Sequence, residues 1–380
     1  MKNPAWLNDV ETPFLLIDET RFHRNVDRLY NRIQKLGCQV RPHLKTLRSP
    51  EAAKYLVKET TSPATVSTLA EAEGFAKAGY TNILYAVGIA PHKLPRVAAL
   101  IQQGINIHVL LDTAEQAQAV TAYGKEHDVT FSVFIEIDCD GHRGGIPPES
   151  PFLIELAKMV DGNNATLTGL LDHAGESYSC RTVEQIQVAA RAECDALRLA
   201  AERIRSVGIA CPVLSAGSTP TAHYAEDLNG ITEVRAGVFS MFDLVMKNVG
   251  VCSDDDIAIS VVTTVIGHNL AKGWVFIDAG WMAMSRDRGT SAGPVDYSYG
   301  MVCSLDGNPL KNLCVSSTNQ EHGIIVITPD SGYTPDDFPV GSKLRIIPNH
   351  ACATASMHLK YEVLKAGTSE RDTWHRITGW

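Results

Sequence analysis

The feature that most constrains this chain is an alternation. Short apolar runs and amphipathic helical patterns take turns over more than half its length. The runs fall at 40, 64–67, 83–87, 105–111, 131–137, 167–171, 213–214 and 234. The clearest helical pattern spans 20–36, where Phe22, Val26, Leu29, Ile33 and Leu36 share one face at 3.6-residue spacing. Helix starts follow the runs. Ser49–Pro50 and Ser150–Pro151 read as cap and first helical residue, and Thr219–Pro220 repeats the device. Thr68 with Glu71, Thr113 with Gln116 and Thr182 with Gln185 fit capping boxes. With the early run at 14–17 set aside, eight strand–helix steps remain. Eight parallel units close a (β/α)8 barrel. The alternation also suits a doubly wound open sheet, so the barrel is an expectation.

Past residue 250 the helical period fades. Val-, Ile- and Thr-rich runs at 257–266, 274–277, 312–318, 323–327 and 343–347 are separated by turn signals. The expected fold class is therefore α/β: a (β/α)8 barrel over 20–248, with 1–19 and 249–380 forming a mainly antiparallel β domain. The strand at 13–17 precedes the barrel and is assigned to the β domain.

Composition narrows the function. Hydrophobic residues make up 44% of the 380 and charged residues 20%, as in a globular protein. No uninterrupted apolar run of about 18 residues is present, so no membrane helix is expected. The first thirteen residues have no apolar stretch of the kind a secretory leader needs. A net charge of −9 argues against nucleic acid as a partner. Nine cysteines with no CxxC pair suggest reduced thiols and a cytoplasmic enzyme acting on a small molecule.

Lys45 directly follows the first barrel strand, which places it at the C-terminal mouth where barrel active sites sit. A lysine there is either a Schiff-base residue or a solvated loop residue. The seventh strand ends in a Gly217-Ser218-Thr219-Pro220 turn and helix start, and the eighth ends in Arg235-Ala236-Gly237-Val238. Loops at these two positions often build a phosphate site in such barrels. A lysine at the first strand with a phosphate cradle at the last two is an arrangement for pyridoxal 5'-phosphate. Arg143 faces either a cofactor ring nitrogen or the nearby Asp138 and Asp140. His173 either stacks on a planar ring or is a buried hydrogen-bonded residue, and Tyr178 supplies a hydroxyl.

Near the C-terminus, His350 and Cys352 follow an apolar strand two residues apart. In extended backbone they would share a face. Imidazole plus thiolate suits Zn²⁺, and Mn²⁺, Co²⁺ and Mg²⁺ are competitors. Two ligands leave positions open, as in a catalytic site. The alternative is a core cysteine beside a surface histidine.

Taken together, the motifs at 42–46, 173–178, 217–221, 235–239, 321–323 and 348–352 resemble fold-type III pyridoxal phosphate enzymes with an alanine racemase-like barrel. They are most similar to the group of D-serine dehydratase, D-threo-3-hydroxyaspartate dehydratase and D-threonine aldolase. The resemblance implies Lys45 as the Schiff-base lysine and Ser218, Thr219, Gly237 and Val238 at the phosphate. It places Arg143, His173 and Tyr178 near the ring, and makes His350 and Cys352 the metal ligands. Aldolases of the group usually carry H-x-D where this chain has H-x-C, which favours a dehydratase acting on a D-3-hydroxy amino acid. No tyrosine occurs in 281–288, where racemases of this fold place a second base. The resemblance also implies a homodimer. Retro-aldol cleavage and a non-catalytic pyridoxal phosphate-binding protein are the alternatives.

Overall fold

The computed structural model describes residues 4–162 and 164–380. Contacts divide the chain into two units. One holds residues 27–237 with 377–380, and the other holds 1–26 with 238–376.

Strands are numbered in chain order. The first, β1 (Phe14–Asp18), belongs to the second unit. The eight strands of the first unit are β2 (Gln39–Pro42), β3 (Ala64–Val66), β4 (Asn82–Gly88), β5 (Asn106–Leu111), β6 (Phe131–Ile137), β7 (Ala165–Asp172), β8 (Val213–Ala216) and β9 (Glu233–Ala236). All neighbours are parallel, in the order β2-β9-β8-β7-β6-β5-β4-β3. A parallel bridge between His43 and Thr65 joins β2 to β3 and closes the ring. The barrel is thus present, with its strands at the apolar runs. Leu84, Leu110, Phe134 and Leu171 form one buried cluster across four strands. Each such side chain contributes roughly 1.5–3 kcal/mol relative to an exposed one. One buried charge pair lies in this unit at Arg41 Nε, 2.7 Å from Glu233 Oε1.

Capping chemistry starts the helices. Ser49 accepts from the Ala52 N–H, and Thr113 closes a full capping box with Gln116. One start differs from the sequence reading. The cap of the helix Thr219–Tyr224 is Ser218, boxed with Thr221, so Pro220 is the second helical residue. Residues 377–380 return to this unit. The Ile377 N–H donates to the Arg48 carbonyl, and Arg96 donates to the Trp380 carbonyl at 3.0 Å.

The second unit is built on β10 (Ile259–Asn269), β11 (Trp274–Ile277), β12 (Met301–Ser304), β13 (Pro309–Thr318), β14 (Gly323–Val326), β15 (Lys343–Ile347), β16 (Lys360–Leu364) and β17 (Arg371–His375) together with β1. Their order is β11-β14-β13-β12-β15-β10-β1-β16-β17, with β11 also paired to β10. Every pairing is antiparallel except β1 with β16. The early strand therefore lies in the β unit.

The division of contacts falls inside the helix Glu19–Lys35 and directly after Gly237, whereas the sequence reading divides at 19/20 and 248/249. Packing accounts for the difference. Phe22 meets Trp374 edge-on at 5.4 Å, and the Met241 carbonyl accepts from the Ala258 N–H just before β10. The sequence reading also passes over β12, β16 and β17. The last two are only five residues long, and β17 is polar apart from Trp374, its single buried residue. No helix among the described residues is long and apolar enough to cross a membrane. All nine cysteines are free thiols.

Candidate functional site

The barrel unit gathers its polar groups at the C-terminal ends of its strands. Lys45 lies three residues past β2, with its side chain exposed. Its backbone N–H donates to His43 Nδ1 at 3.4 Å, and His43 Nε2 lies 3.4 Å from Ser67 Oγ. Burial pulls His43 well below the ordinary histidine value, and the nearby Lys45, Arg235 and His173 add to this.

His173 follows β7. Burial pulls it down to about 3, against the bond to the Gly217 carbonyl. The ring is therefore neutral at physiological pH. A carbonyl only accepts, so Nδ1 carries the proton that it donates to Gly217 O at 3.0 Å, and Nε2 is left as an acceptor. The Tyr178 ring lies 6.1 Å away at 50°.

The loop after β8 is tightly specified. Gly217 has φ +136°, and a Cβ there would stand 2.2 Å from the Arg235 carbonyl oxygen, so only glycine fits. Ser218 Oγ lies 2.7 Å from Ser177 Oγ and caps the following helix. Thr219 Oγ1 is buried without a hydrogen-bond partner, a costly state in an otherwise satisfied loop. Gly237 lets the backbone after β9 approach β2, since a Cβ would sit 3.2 Å from the His43 carbonyl oxygen. Val238 is buried and opens the turn Val238–Ser240.

Behind these loops lies Glu193 of the helix Val183–Ser206. Its Oε1 accepts from the Ala174 and Gly217 N–H groups, both at 2.9 Å, and its Oε2 accepts from Thr221 Oγ1 at 2.8 Å. Burial pushes the carboxyl up, and these donors pull it back. Arg143 departs from the expected pairing with the nearby aspartates. It pairs with Glu136 at 3.3 Å, not with Asp138 or Asp140, and its side chain is 65% exposed.

In the β unit, β15 ends at Ile347 and the chain turns. His350 caps the helix Ala351–Ser356, so Cys352 lies in the first helical turn. The extended-strand geometry expected from the sequence is absent, yet the two side chains do meet. His350 Nδ1 lies 2.9 Å from Asp287 Oδ2. Burial pulls His350 down, but the bonds to Asp287 and Cys352 outweigh it and push the imidazole up to about 11. Asp287 is held in turn by the Gly289 N–H at 2.7 Å. Asn349 ties the two segments together, with Nδ2 donating to the Asp287 carbonyl at 3.0 Å and Oδ1 accepting from Thr290 at 3.1 Å. Asp243 accepts from the Ala351 N–H at 2.8 Å and fixes the helix start. Among the described residues no group of three or more His, Cys, Asp or Glu side chains is arranged as a metal cluster.

Sequence reasoning missed Glu193, Asp243 and Asp287. Lone carboxylates on a helix or loop carry no local motif, and only the Asp287–Gly289 turn leaves a weak trace. Among the cationic side chains of the β unit, Arg288 pairs with Asp296 at 2.8 Å, Arg286 lies over the Trp281 ring at 5.2 Å, and His322 is exposed.

A closed barrel of eight parallel strands with a polar mouth, followed by an antiparallel β unit, defines an alanine racemase-like enzyme. The comparisons agree. The family described as alanine racemase, N-terminal domain, matches residues 17–244, and the putative serine dehydratase domain matches 258–364. A D-threo-3-hydroxyaspartate dehydratase of Delftia sp. (strain HT23) is 46% identical, with 98% of each chain covered. A D-serine dehydratase of Dictyostelium discoideum is 29% identical, with 94% of each covered. The crystal structure of an Ala racemase-like protein from Idiomarina loihiensis superposes with a TM-score of 0.97 at 56% identity, covering 100% of both chains. The chain belongs to the alanine racemase N-terminal domain family, in the group that holds these dehydratases. Dehydratases are lyases, and this chain is a lyase.

Proposed function

We propose that this protein is a pyridoxal 5'-phosphate- and divalent-metal-dependent dehydratase that converts a D-3-hydroxy amino acid to a 2-oxo acid and ammonia. D-threo-3-hydroxyaspartate is the first substrate and D-serine the second. The observation that carries the reading is the His350–Cys352 pair, backed by Asp287, in a chain whose barrel unit presents Lys45. The 46% identical relative is named for the first substrate.

The residues present fit both groups. Thr219 Oγ1 is a buried hydroxyl awaiting a partner, and Gly217 and Gly237 leave backbone where a Cβ would be crowded. Ser218, Thr219, Gly237 and Val238 would hold the phosphate, with His173 and Tyr178 beside the ring. Arg143, paired with Glu136, reaches the ring nitrogen only if that pair opens. In the β unit, the carboxylate and thiol that keep a proton on His350 also favour a divalent cation, which replaces that proton. His350 and Cys352 would be its protein ligands. The Asp287–His350 pair reproduces the carboxylate behind a ligating imidazole. The thiolate favours Zn²⁺ over Mg²⁺. A cysteine-to-alanine mutant of a D-threo-3-hydroxyaspartate dehydratase was solved in a metal-free form.

When bound, pyridoxal 5'-phosphate supplies an electron sink at Cα and the metal supplies Lewis acidity for the departing hydroxide. Lys45 would hold the cofactor through its side-chain amine and, as that amine is freed, would serve as the base for the substrate α-proton. Neutral His173 would offer an uncharged face and Nε2 to the ring. The enzyme is read as a cytoplasmic homodimer.

The test is product analysis with D-threo-3-hydroxyaspartate, D-serine and D-threonine, with and without EDTA. A 2-oxo acid and ammonia, lost on chelation, support the proposal. Glycine and an aldehyde from D-threonine would make the protein an aldolase, and no turnover would favour a binding protein.

A further inference from the structure

The Glu193 carboxylate is 2% exposed and spends its acceptors on two separate loops. Burying a carboxylate is costly unless its lone pairs are satisfied. Here the donors are the N–H of Ala174, next to His173, the N–H of Gly217, next to Ser218, and the hydroxyl of Thr221, which completes the Ser218 capping box. One oxygen takes both backbone N–H groups, each at 2.9 Å, so the spacing of the two loops is set by a single atom. Two further links cross the same gap, His173 Nδ1 to the Gly217 carbonyl at 3.0 Å and Ser177 Oγ to Ser218 Oγ at 2.7 Å. Both join one loop to the other and move with them. Glu193 references the pair to a third element, the 24-residue helix Val183–Ser206, while Arg235 of β9 ties the strand ends that precede the loops, donating to the Asp172 and Ser215 carbonyls. Thr219, with its unpartnered hydroxyl, lies between Ser218 and Thr221 and is placed by the same tether.

We propose that Glu193 is a positioning residue, which holds the ring-side loop at His173 and the phosphate-side loop at Ser218–Thr219 in register for pyridoxal 5'-phosphate while touching neither cofactor nor substrate. This rests on the cofactor reading above. A site whose supporting groups are lost keeps its contacts but loses their preorganisation.

Three substitutions separate positioning from mere structure. Glu193→Gln keeps an oxygen for the two N–H groups, and its amide N–H donates to Thr221, so it is the conservative control. Glu193→Asp withdraws the carboxylate by one methylene and cannot reach both loops. Glu193→Ala removes it. The readouts are the dissociation constant of added pyridoxal 5'-phosphate, the visible circular dichroism of the bound cofactor, and hydrogen exchange at the Ala174 and Gly217 amides without cofactor. The expected result is a loss of about tenfold or more in cofactor affinity for the aspartate and alanine variants, with near wild-type affinity for glutamine. Weakened dichroism and faster exchange at both amides accompany that loss. If alanine fails to fold, aspartate carries the comparison. Wild-type affinity, dichroism and amide protection in the aspartate variant would overturn the proposal. If the wild-type protein takes up no cofactor, the cofactor reading fails instead. The exchange experiment then still decides whether Glu193 tethers the loops.

Discussion

Asp287 offers the sharpest perturbation of the β unit. Its Oδ2 lies 2.9 Å from His350 Nδ1 and its Oδ1 accepts from the Gly289 N–H at 2.7 Å. Asp287→Ala removes both bonds, frees the His350 ring to rotate and lowers its basicity. Removing such a carboxylate behind a ligating histidine typically costs about 10–100-fold in metal affinity, or about 1.4–2.7 kcal/mol. Asp287→Asn keeps one acceptor oxygen and falls between. The Asp287 backbone carbonyl still accepts from Asn349 in both variants, so the loop stays anchored. The assay is competition for Zn²⁺ against a chromophoric chelator at pH 7.5, with Cys352→Ala as the reference for lost ligation. The reasoning predicts the order wild type, Asn, Ala, with Cys352→Ala weakest. Wild-type Zn²⁺ affinity in Asp287→Ala would refute it.

Two stability predictions concern the barrel unit. Arg41→Met leaves Glu233 buried, with only the Ser215 hydroxyl of its partners, so stability to urea falls by about 3–5 kcal/mol; a loss under 1 kcal/mol would contradict this. Asp172 is buried with the Cys139 thiol against its carboxyl, and burial with Glu193 nearby holds that carboxyl well above the ordinary value. The folded state therefore binds a proton that the unfolded state has released, and stability falls as pH rises above about 4 toward the folded value. Asp172→Asn removes that dependence and stabilises the protein at pH 7 by about 1–3 kcal/mol, with no gain below pH 4. A pH-independent difference between the two melting curves would refute the assignment.

The barrel was legible in the sequence because most of its strands are short apolar runs followed by a helix cap, as at Asn106–Leu111 and Thr113. Such signals are local. Lys45 was legible because its place after β2 follows from chain order alone. What escaped is non-local. Glu193 faces Gly217 across 24 residues, and Asp287 faces His350 across 63. Nothing in either segment announces the partner. The H-x-C pair was found for a geometric reason that does not hold: His350 is a helix cap and not a strand residue, and the side chains meet through the turn after β15. β16 and β17 escaped because each is only five residues long and β17 is polar apart from Trp374, and the partner of Arg143 emerged only once the fold had brought Glu136 of β6 beside it.

The central claim is that Lys45 carries the cofactor. It is tested most directly by adding pyridoxal 5'-phosphate, reducing with borohydride and mapping the modified peptide by mass spectrometry. The account predicts one pyridoxyl group, on Lys45. A pyridoxyl group on another lysine, or none at all, would contradict it.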